Sequence, residues 1–355
     1  MYDVAVIGAG PAGATLARLI GKSRKVLVIE RRDLLEQKQD TITKLCGGLI
    51  APDAQCMQGK LGLGVPREVL VGPQLFTVRT IDIQKNMERY YQRHYINIDR
   101  EKFDVWLGSL IPASVDIRCG WFFKSFERTG TSVRLKLKFN GKEYIEETKL
   151  LVGADGAFSP VRRILAPQIP QKKYLAVQEW FKVSQNLPYF LVIFDQTLTD
   201  FYSWTIPKEE YLLVGAALLP REKFTSLKEK LRHYGFEVKD PVKKGAALII
   251  RPQSSSQICL GEGNISLIGE AAGLISPTSA EGLSYALRSA LALAQSIQED
   301  PQNYLRSYFR RTGSLKYNII AKNLKAPFMY RPFLRQAVMK SGITSMKQPQ
   351  LSDKE

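Results

Sequence analysis

Near the start of the chain Gly8, Ala9, Gly10, Pro11, Ala12 and Gly13 set three glycines at spacings of two and three, and Glu30 follows Gly10 by twenty positions. Each glycine has its own physical use. Gly8 permits a tight turn, Gly10 lets the backbone approach a pyrophosphate, and Gly13 lets a helix pack closely on a strand. A helix beginning at Ala12 points the partial positive charge of its N-terminus at the phosphates. Glu30 can accept hydrogen bonds from a ribose diol, which favours an adenosine without a 2′-phosphate, and Arg31 beside it is counted with the same group. The chemistry these residues fit is dinucleotide binding, and FAD and NAD both satisfy it.

Holding these residues takes a β-α-β unit, and the sequence supplies one. Tyr2 to Gly8 reads as a buried strand, Ala12 to Gly21 as a helix of small residues, and Lys25 to Glu30 as a second strand. Further on, 74–83 and 88–98 are strand-like or irregular, 100–110 is a helix, and 115–118 is a short strand. A hairpin is expected over 133–148, turning at Asn140 and Gly141, with Leu150 to Val152 forming a strand after it. Residues 172–251 alternate as in an antiparallel sheet, with one helix near 226–234. A strand at 264–268, a glycine-rich loop at 269–282 and a strongly periodic helix at 283–298 return the chain to the first unit, which is therefore discontinuous.

Four further segments separate FAD from NAD, through resemblance to known flavoproteins. Gly153, Ala154, Asp155 and Gly156, followed by Ser159 and Arg162, resemble the ADGxxSxxR segment of FAD-dependent hydroxylases and geranylgeranyl reductases. Gly269 and Glu270, continuing to Gly273, resemble the GDAA segment whose carboxylate holds the flavin ribitol, with Glu one methylene longer than the family's Asp. Gly282 and Leu283 resemble the pair at which a helix N-terminus approaches the flavin. Arg100, in a run with Phe103, Asp104 and Leu107, resembles the family's arginine near the pyrophosphate.

Two more segments point within the group to the geranylgeranyl reductase family. Cys46, Gly47, Gly48 and Leu49 resemble its CGG segment beside the flavin ring, although Cys46 also suits a small buried hydrophobe. Tyr202, Trp204, Ile206 and Pro207, followed by Val214 and Gly215, resemble its YxWxFP and VG motif with Ile for Phe. The same stretch is similar to the WxWxIP motif of flavin-dependent halogenases with Tyr for the first Trp, and it also suits ordinary sheet residues facing a core. Strand alternation puts Tyr202, Trp204 and Ile206 on one face, where they could wall an apolar tunnel. The stretches CGGLIAPDAQ and SLIPASV are most similar to the CbrA-like branch, and the whole group is related to the p-hydroxybenzoate-hydroxylase-type flavoproteins.

The resemblance implies an α/β fold: a Rossmann-type FAD-binding domain of the glutathione-reductase-like, hydroxylase subclass, an antiparallel-sheet substrate domain and a helical C-terminal tail. The expected division is 1–73, 98–165 and 252–300 for the first, 74–97 and 166–251 for the second, and 301–355 for the tail. It implies FAD as cofactor, Cys46, Tyr202 and Trp204 as catalytic residues, and reduction of a carbon–carbon double bond in an isoprenoid or prenyl-lipid substrate. The rival implication is a single-component monooxygenase or halogenase acting on a hydrophobic small molecule. Only one dinucleotide fingerprint is present, so electrons are expected from transient NAD(P)H or another donor.

Bulk composition narrows the partners. The chain carries 51 Lys plus Arg against 34 Asp plus Glu, a net charge of +17, with no nucleic-acid-binding signature beside it. Neither a metal site nor a disulfide framework is indicated by Cys46, Cys56, Cys119 and Cys259 with His94 and His233. The first residues run directly into a strand, and no apolar run reaches about 18 residues, so a cytoplasmic protein is expected. From Arg306 to Lys347 basic residues recur without an acidic one, among them Arg310, Arg311, Lys316, Lys322, Lys325, Arg331, Arg335 and Lys340. With Phe328, Tyr330 and Phe333 between them, they suit either peripheral contact with the inner face of a membrane or helices with a solvated basic side.

Overall fold

The computed structural model of the 355-residue chain describes residues 1–33, 45–185, 187–218 and 223–346. The strand Tyr2–Ile7 pairs in parallel with Val26–Glu30, and the helix Pro11–Ile20 crosses between them. Every residue of VLVIE is buried, as a continuous apolar run requires of a parallel strand covered on both faces. Pro11 opens the helix, where a missing N–H is harmless. Lys142–Gly153 and then Ile265–Leu267 extend the parallel sheet beyond Tyr2–Ile7, while Asp116–Cys119 extends it beyond Val26–Glu30. The helix Leu283–Glu299 packs against Pro11–Ile20, with Ala286, Ser289, Ala290 and Ala294 buried.

The expected strands 142–148 and 150–152 are one continuous strand, Lys142–Gly153. Its first half pairs with Ser132–Phe139 through a turn in which Asn140 and Gly141 both have positive φ, the twist a tight hairpin needs. A third strand, Phe122–Thr129, joins that hairpin and had no sequence signal, because none of its residues is fully buried and its register shifts between Phe123 and Ser125. The helix Pro52–Lys60 was likewise unmarked: only Ala54 and Gln58 of its residues are buried, so no apolar stripe exists to reveal it.

The second sheet runs, in spatial order, through Pro241–Ile250, Lys173–Lys182, Tyr211–Leu218, Ser203–Lys208, Phe190–Phe194, Leu75–Asp82, Met87–Asn97 and Leu49–Ile50. It departs from the expected antiparallel pattern at one junction, where Phe190–Phe194 lies parallel to Leu75–Asp82. Those strands come from remote segments, so no hairpin dictates their relative direction. Alternation gives the sheet two apolar faces. Leu191 and Ile193 face the helix Lys223–His233, while Val192 and Phe194 face the opposite way.

Among its described residues the tail forms three helices, Tyr304–Arg311, Gly313–Tyr330 and Pro332–Ser341. It is anchored on the face that carries Val192 and Phe194: the Tyr330 ring lies 5.8 Å from Phe194 and 5.3 Å from Phe201. Arg335 corrects the picture of a uniformly solvated basic tail. It is buried, and its guanidinium donates to Asp82 at 2.8 Å. Arg311 is also engaged, in an ion pair with Glu299. Among the described residues no helix is long and apolar enough to cross a membrane.

Candidate functional site

A cavity of about 1390 Å³ lies between the two sheets and draws its lining from both. It exceeds the roughly 300–1,000 Å³ typical of a single small-ligand pocket, which leaves room for a cofactor and a substrate together. All the expected cofactor residues except Gly13 and Gly269 line it, as do the three expected catalytic residues. The two exceptions lie behind the wall. A Cβ on Gly13 would stand 1.9 Å from the Gly8 carbonyl oxygen, and one on Gly269 would stand 3.1 Å from Ala12 Cβ.

At the glycine-rich end of the cavity Gly8, Gly10 and Glu30 lie in different surroundings. Gly8 has φ +101°, and a Cβ there would lie 2.7 Å from the Ala154 carbonyl oxygen, so the turn has to sit flush against the ADG segment. Gly10 differs, since a Cβ on it meets no protein atom within 4 Å. That space adjoins the N-terminus of Pro11–Ile20, and it is a cradle that a phosphate fits. Glu30 is buried, accepting from the backbone N–H of Ala9 at 2.8 Å and of Arg32 at 2.9 Å. Burial pushes its carboxyl up, but the Arg32 guanidinium and these N–H groups outweigh burial and hold it below the usual carboxylate range.

Arg32 was not marked by the motif, which singled out Arg31. Arg31 is exposed at the cavity edge, whereas Arg32 donates to Glu30 and, at 2.9 Å, to Asp104. Asp104 in turn accepts from Arg100 at 2.7 Å, and Arg100 reaches Cys46 Sγ at 3.3 Å. An unbroken polar chain, Glu30, Arg32, Asp104, Arg100 and Cys46, thus connects the end of the strand Val26–Glu30 to the CGG loop. The spacing of four between Arg100 and Asp104 was a readable signal of a helix ion pair.

Two arginine contacts tie the remaining cofactor segments together. Ser159 caps the helix Pro160–Leu165 by accepting from the Arg162 N–H at 2.9 Å. The buried Arg162 side chain then donates to the carbonyls of Ala271 at 3.1 Å and Gln257 at 2.6 Å, joining the ADG segment to the GEAAG segment. Glu270 Oε1 accepts from the Ile250 N–H at 3.1 Å, at the start of that second segment. Asp155 Oδ1 is buried at the cavity without a protein hydrogen bond, and burial pushes its carboxyl up to about 6. Gly282 caps the helix Leu283–Glu299, whose first turn faces the cavity.

The CGG loop and the YxWxIP strand meet at the far end. Lys44 lies outside the described residues, but Leu45 packs on Gly245, where a Cβ would come within 2.6 Å of Leu45 Cδ2. Gly47 packs on Ile206 in the same way. Behind the loop Lys208 Nζ donates to Asn97 Oδ1 at 2.6 Å, Ile98 O at 2.8 Å and Gly48 O at 3.2 Å. None of those acceptors is charged, and burial pushes the ammonium down to about 7 despite Cys46 and Asp99 acting in the opposite direction. Lys208 was visible only as the residue after Pro207, with nothing in its type to mark it.

Tyr202 and Trp204 are buried and line this end together with Ile206. Their rings lie 5.5 Å apart, tilted by 55°. Tyr202 Oη donates to the Ser279 carbonyl at 2.7 Å, and burial, with Tyr95 and Cys46 nearby, holds the phenol well above its ordinary pKa. Phe190, Val192 and Val78 continue the wall, which is largely apolar, with Thr80 and Gln178 also reaching the cavity.

The residues present therefore fit a dinucleotide cofactor: an open glycine cradle at a helix N-terminus, a buried carboxylate at the end of the next strand, and an orphaned carboxylate oxygen along the wall. No family model matches the chain. Protein CbrA of Shigella sonnei is 38% identical over 355 residues, spanning 99% of this chain and 99% of that protein. A solved geranylgeranyl bacteriochlorophyll reductase-like protein of Thermoplasma acidophilum superposes with a TM-score of 0.76 at 19% identity, covering 96% of this chain and 98% of that one. The structure of PqsL, a probable FAD-dependent monooxygenase of Pseudomonas aeruginosa, gives 0.69 at 18% identity, covering 96% and 99%. At these identities the two structures share with this chain its fold, two sheets with a helical C-terminal region.

Proposed function

This chain belongs to the CbrA family, and on that premise we propose that it is an FAD-dependent oxidoreductase that reduces a carbon–carbon double bond of an isoprenoid or prenyl-lipid substrate. The observation that carries the reading is one cavity with a dinucleotide cradle at one end and an aromatic, apolar wall at the other. Bound FAD supplies hydride chemistry at its ring, refilled by transient NAD(P)H or another donor.

The chain's own residues divide the remaining work. The Gly10 backbone and the N-terminus of Pro11–Ile20 would hold the pyrophosphate, Glu30 and Arg31 would serve the ribose, and Arg100 would offset phosphate charge. Glu270 would accept from the ribitol hydroxyls, and the first turn after Gly282 would favour negative charge on the ring. Cys46, Gly47 and Leu49 would form the wall beside it, and Lys208 fixes that loop from behind. Tyr202, Trp204 and Ile206 would exclude water from the reacting carbons, with the Tyr202 hydroxyl held by the Ser279 carbonyl.

The test is product analysis under nitrogen, with the reduced flavoprotein and a geranylgeranyl compound. The reading expects hydrogen gained across a double bond, with turnover lost in Cys46→Ala and Trp204→Ala proteins that still bind FAD. Unchanged turnover in those variants removes the assigned roles. A second reading, a single-component monooxygenase or halogenase, draws support from the likeness of the Trp204, Ile206 and Pro207 stretch to WxWxIP. It expects oxygen-dependent NAD(P)H consumption stimulated by an aromatic substrate.

A further inference from the structure

The helix Gly313–Tyr330 is apolar on two sides. Leu315 and Ile319 are buried against the protein, while Tyr317, Ile320, Leu324 and Phe328 are exposed. Steps of three, four and four residues place that second set in one stripe along the solvent side. Tyr317 is 75% exposed and Leu324 72%, and Phe333, at the start of the next helix, is 77% exposed. A surface helix normally turns charge to water on this side, so the stripe calls for an occupant.

Two observations identify the occupant. The first is charge: between Asp300 and Asp353 the chain contains no acidic residue. Arg310, Lys325, Arg331 and Lys340 are exposed on or between the three tail helices, and among the described residues none of them is paired with a carboxylate. The second is the cavity itself. Phe328, Val338 and Ile343 are exposed, and the same three side chains line the cavity, with Lys322 and Lys325 beside them. The apolar stripe therefore reaches the cavity lining at Phe328, and cations border it.

We propose that this face docks on an anionic lipid bilayer, with the aromatic and aliphatic stripe in the headgroup and upper acyl region and the cavity mouth turned to the membrane. Apolar burial together with basic attraction is the physical signature of an interfacial helix. A neutral protein partner would not use the cations, and an acidic protein would not need a stripe continuous with a cavity. The docking is independent of the redox reading, because it requires neither flavin nor turnover.

The experiment is vesicle co-sedimentation of the full chain with phosphatidylglycerol and phosphatidylcholine mixtures, and with phosphatidylcholine alone, at low and high salt. The comparison protein is the triple variant Tyr317→Ser, Leu324→Ser, Phe333→Ser, none of which lines the cavity. Circular dichroism and sedimentation velocity accompany both proteins. The expected result is salt-sensitive recovery with anionic vesicles, reduced by about tenfold or more in a folded, equally monomeric triple variant. Equal recovery with neutral vesicles, or undiminished binding by the triple variant, overturns the proposal. So does concentration-dependent self-association abolished by the triple variant, which assigns the face to a second copy of the chain. If the triple variant does not fold, Lys325→Glu with Arg331→Glu reads the same question through charge, and unchanged anionic binding there is the contrary result.

Discussion

The indole of Trp204 lies across Gly215, its partner on the neighbouring strand, so closely that a Cβ on Gly215 would stand 2.3 Å from Cε2 and 2.4 Å from Nε1. The Val-Gly pair that follows the YxWxIP motif thus has a packing reason: the glycine is the floor on which the tryptophan rests. Gly47 has the matching relation to Ile206, where a Cβ would come within 2.7 Å of Cδ1. The motifs near residues 46 and 204 are two sides of one wall.

Gly215→Ala should therefore destabilise the protein by about 2 kcal/mol, the usual scale of overpacking against a rigid ring. Adding Trp204→Ala should recover part of that loss, giving a coupling of about 1 kcal/mol or more in a double-mutant cycle read by urea unfolding. Additive losses would mean that the contact carries no strain.

Gly10 and Gly13 separate binding from folding. Gly10→Ala adds a methyl to open space, so the apoprotein should unfold within about 0.5 kcal/mol of the parent. Its FAD affinity, read by fluorescence quenching, should fall by on the order of a hundredfold, because the methyl takes the space a phosphate needs. Gly13→Ala meets the Gly8 carbonyl at 1.9 Å and should lose the fold itself. Unaltered FAD affinity in Gly10→Ala would remove the cradle from the account.

Glu30 sets an acid limb. Its carboxyl is held below the usual carboxylate range, so the stability it brings is complete above the unfolded carboxylate pKa and is lost as pH falls through the folded value. Arg32→Met removes the guanidinium that offsets burial. In acid titrations followed by circular dichroism the variant should begin to unfold at higher pH, and at neutral pH it should be less stable by about 3 kcal/mol. Superimposable acid limbs would contradict the assignment.

Lys208 sets the opposite limb. Burial brings its ammonium from 10.5 to about 7, so between those values the unfolded chain binds the extra proton and stability rises with pH. The penalty is complete below about 7 and fades toward 10.5. Urea midpoints measured across that window should rise for the parent more steeply than for Lys208→Met, which has no proton to lose. Parallel profiles would show that the amine titrates normally.

What could be read in the sequence was what depends on local backbone geometry. Gly8, Gly13 and Glu30 announce their positions because a tight turn, a close helix crossing and a strand end each demand one residue type. The parallel strand Val26–Glu30 was equally plain, since burial on both faces leaves no alternation. Phe122–Thr129 was not legible, as its side chains face no single apolar layer. Arg32 and Lys208 were missed because their roles come from partners far along the chain, Asp104 for one and Asn97 for the other. Arg335 reads as one more cation in a basic tail until the fold sets it against Asp82.

The central claim is tested most directly by photoreducing the FAD-loaded protein without oxygen and mixing it, in a stopped-flow instrument, with geranylgeranyl and undecaprenyl compounds and then separately with oxygen. The account predicts flavin reoxidation by a prenyl compound under anaerobic conditions. Reoxidation by oxygen alone, with every prenyl compound inert, would contradict it and move the protein to the monooxygenase class.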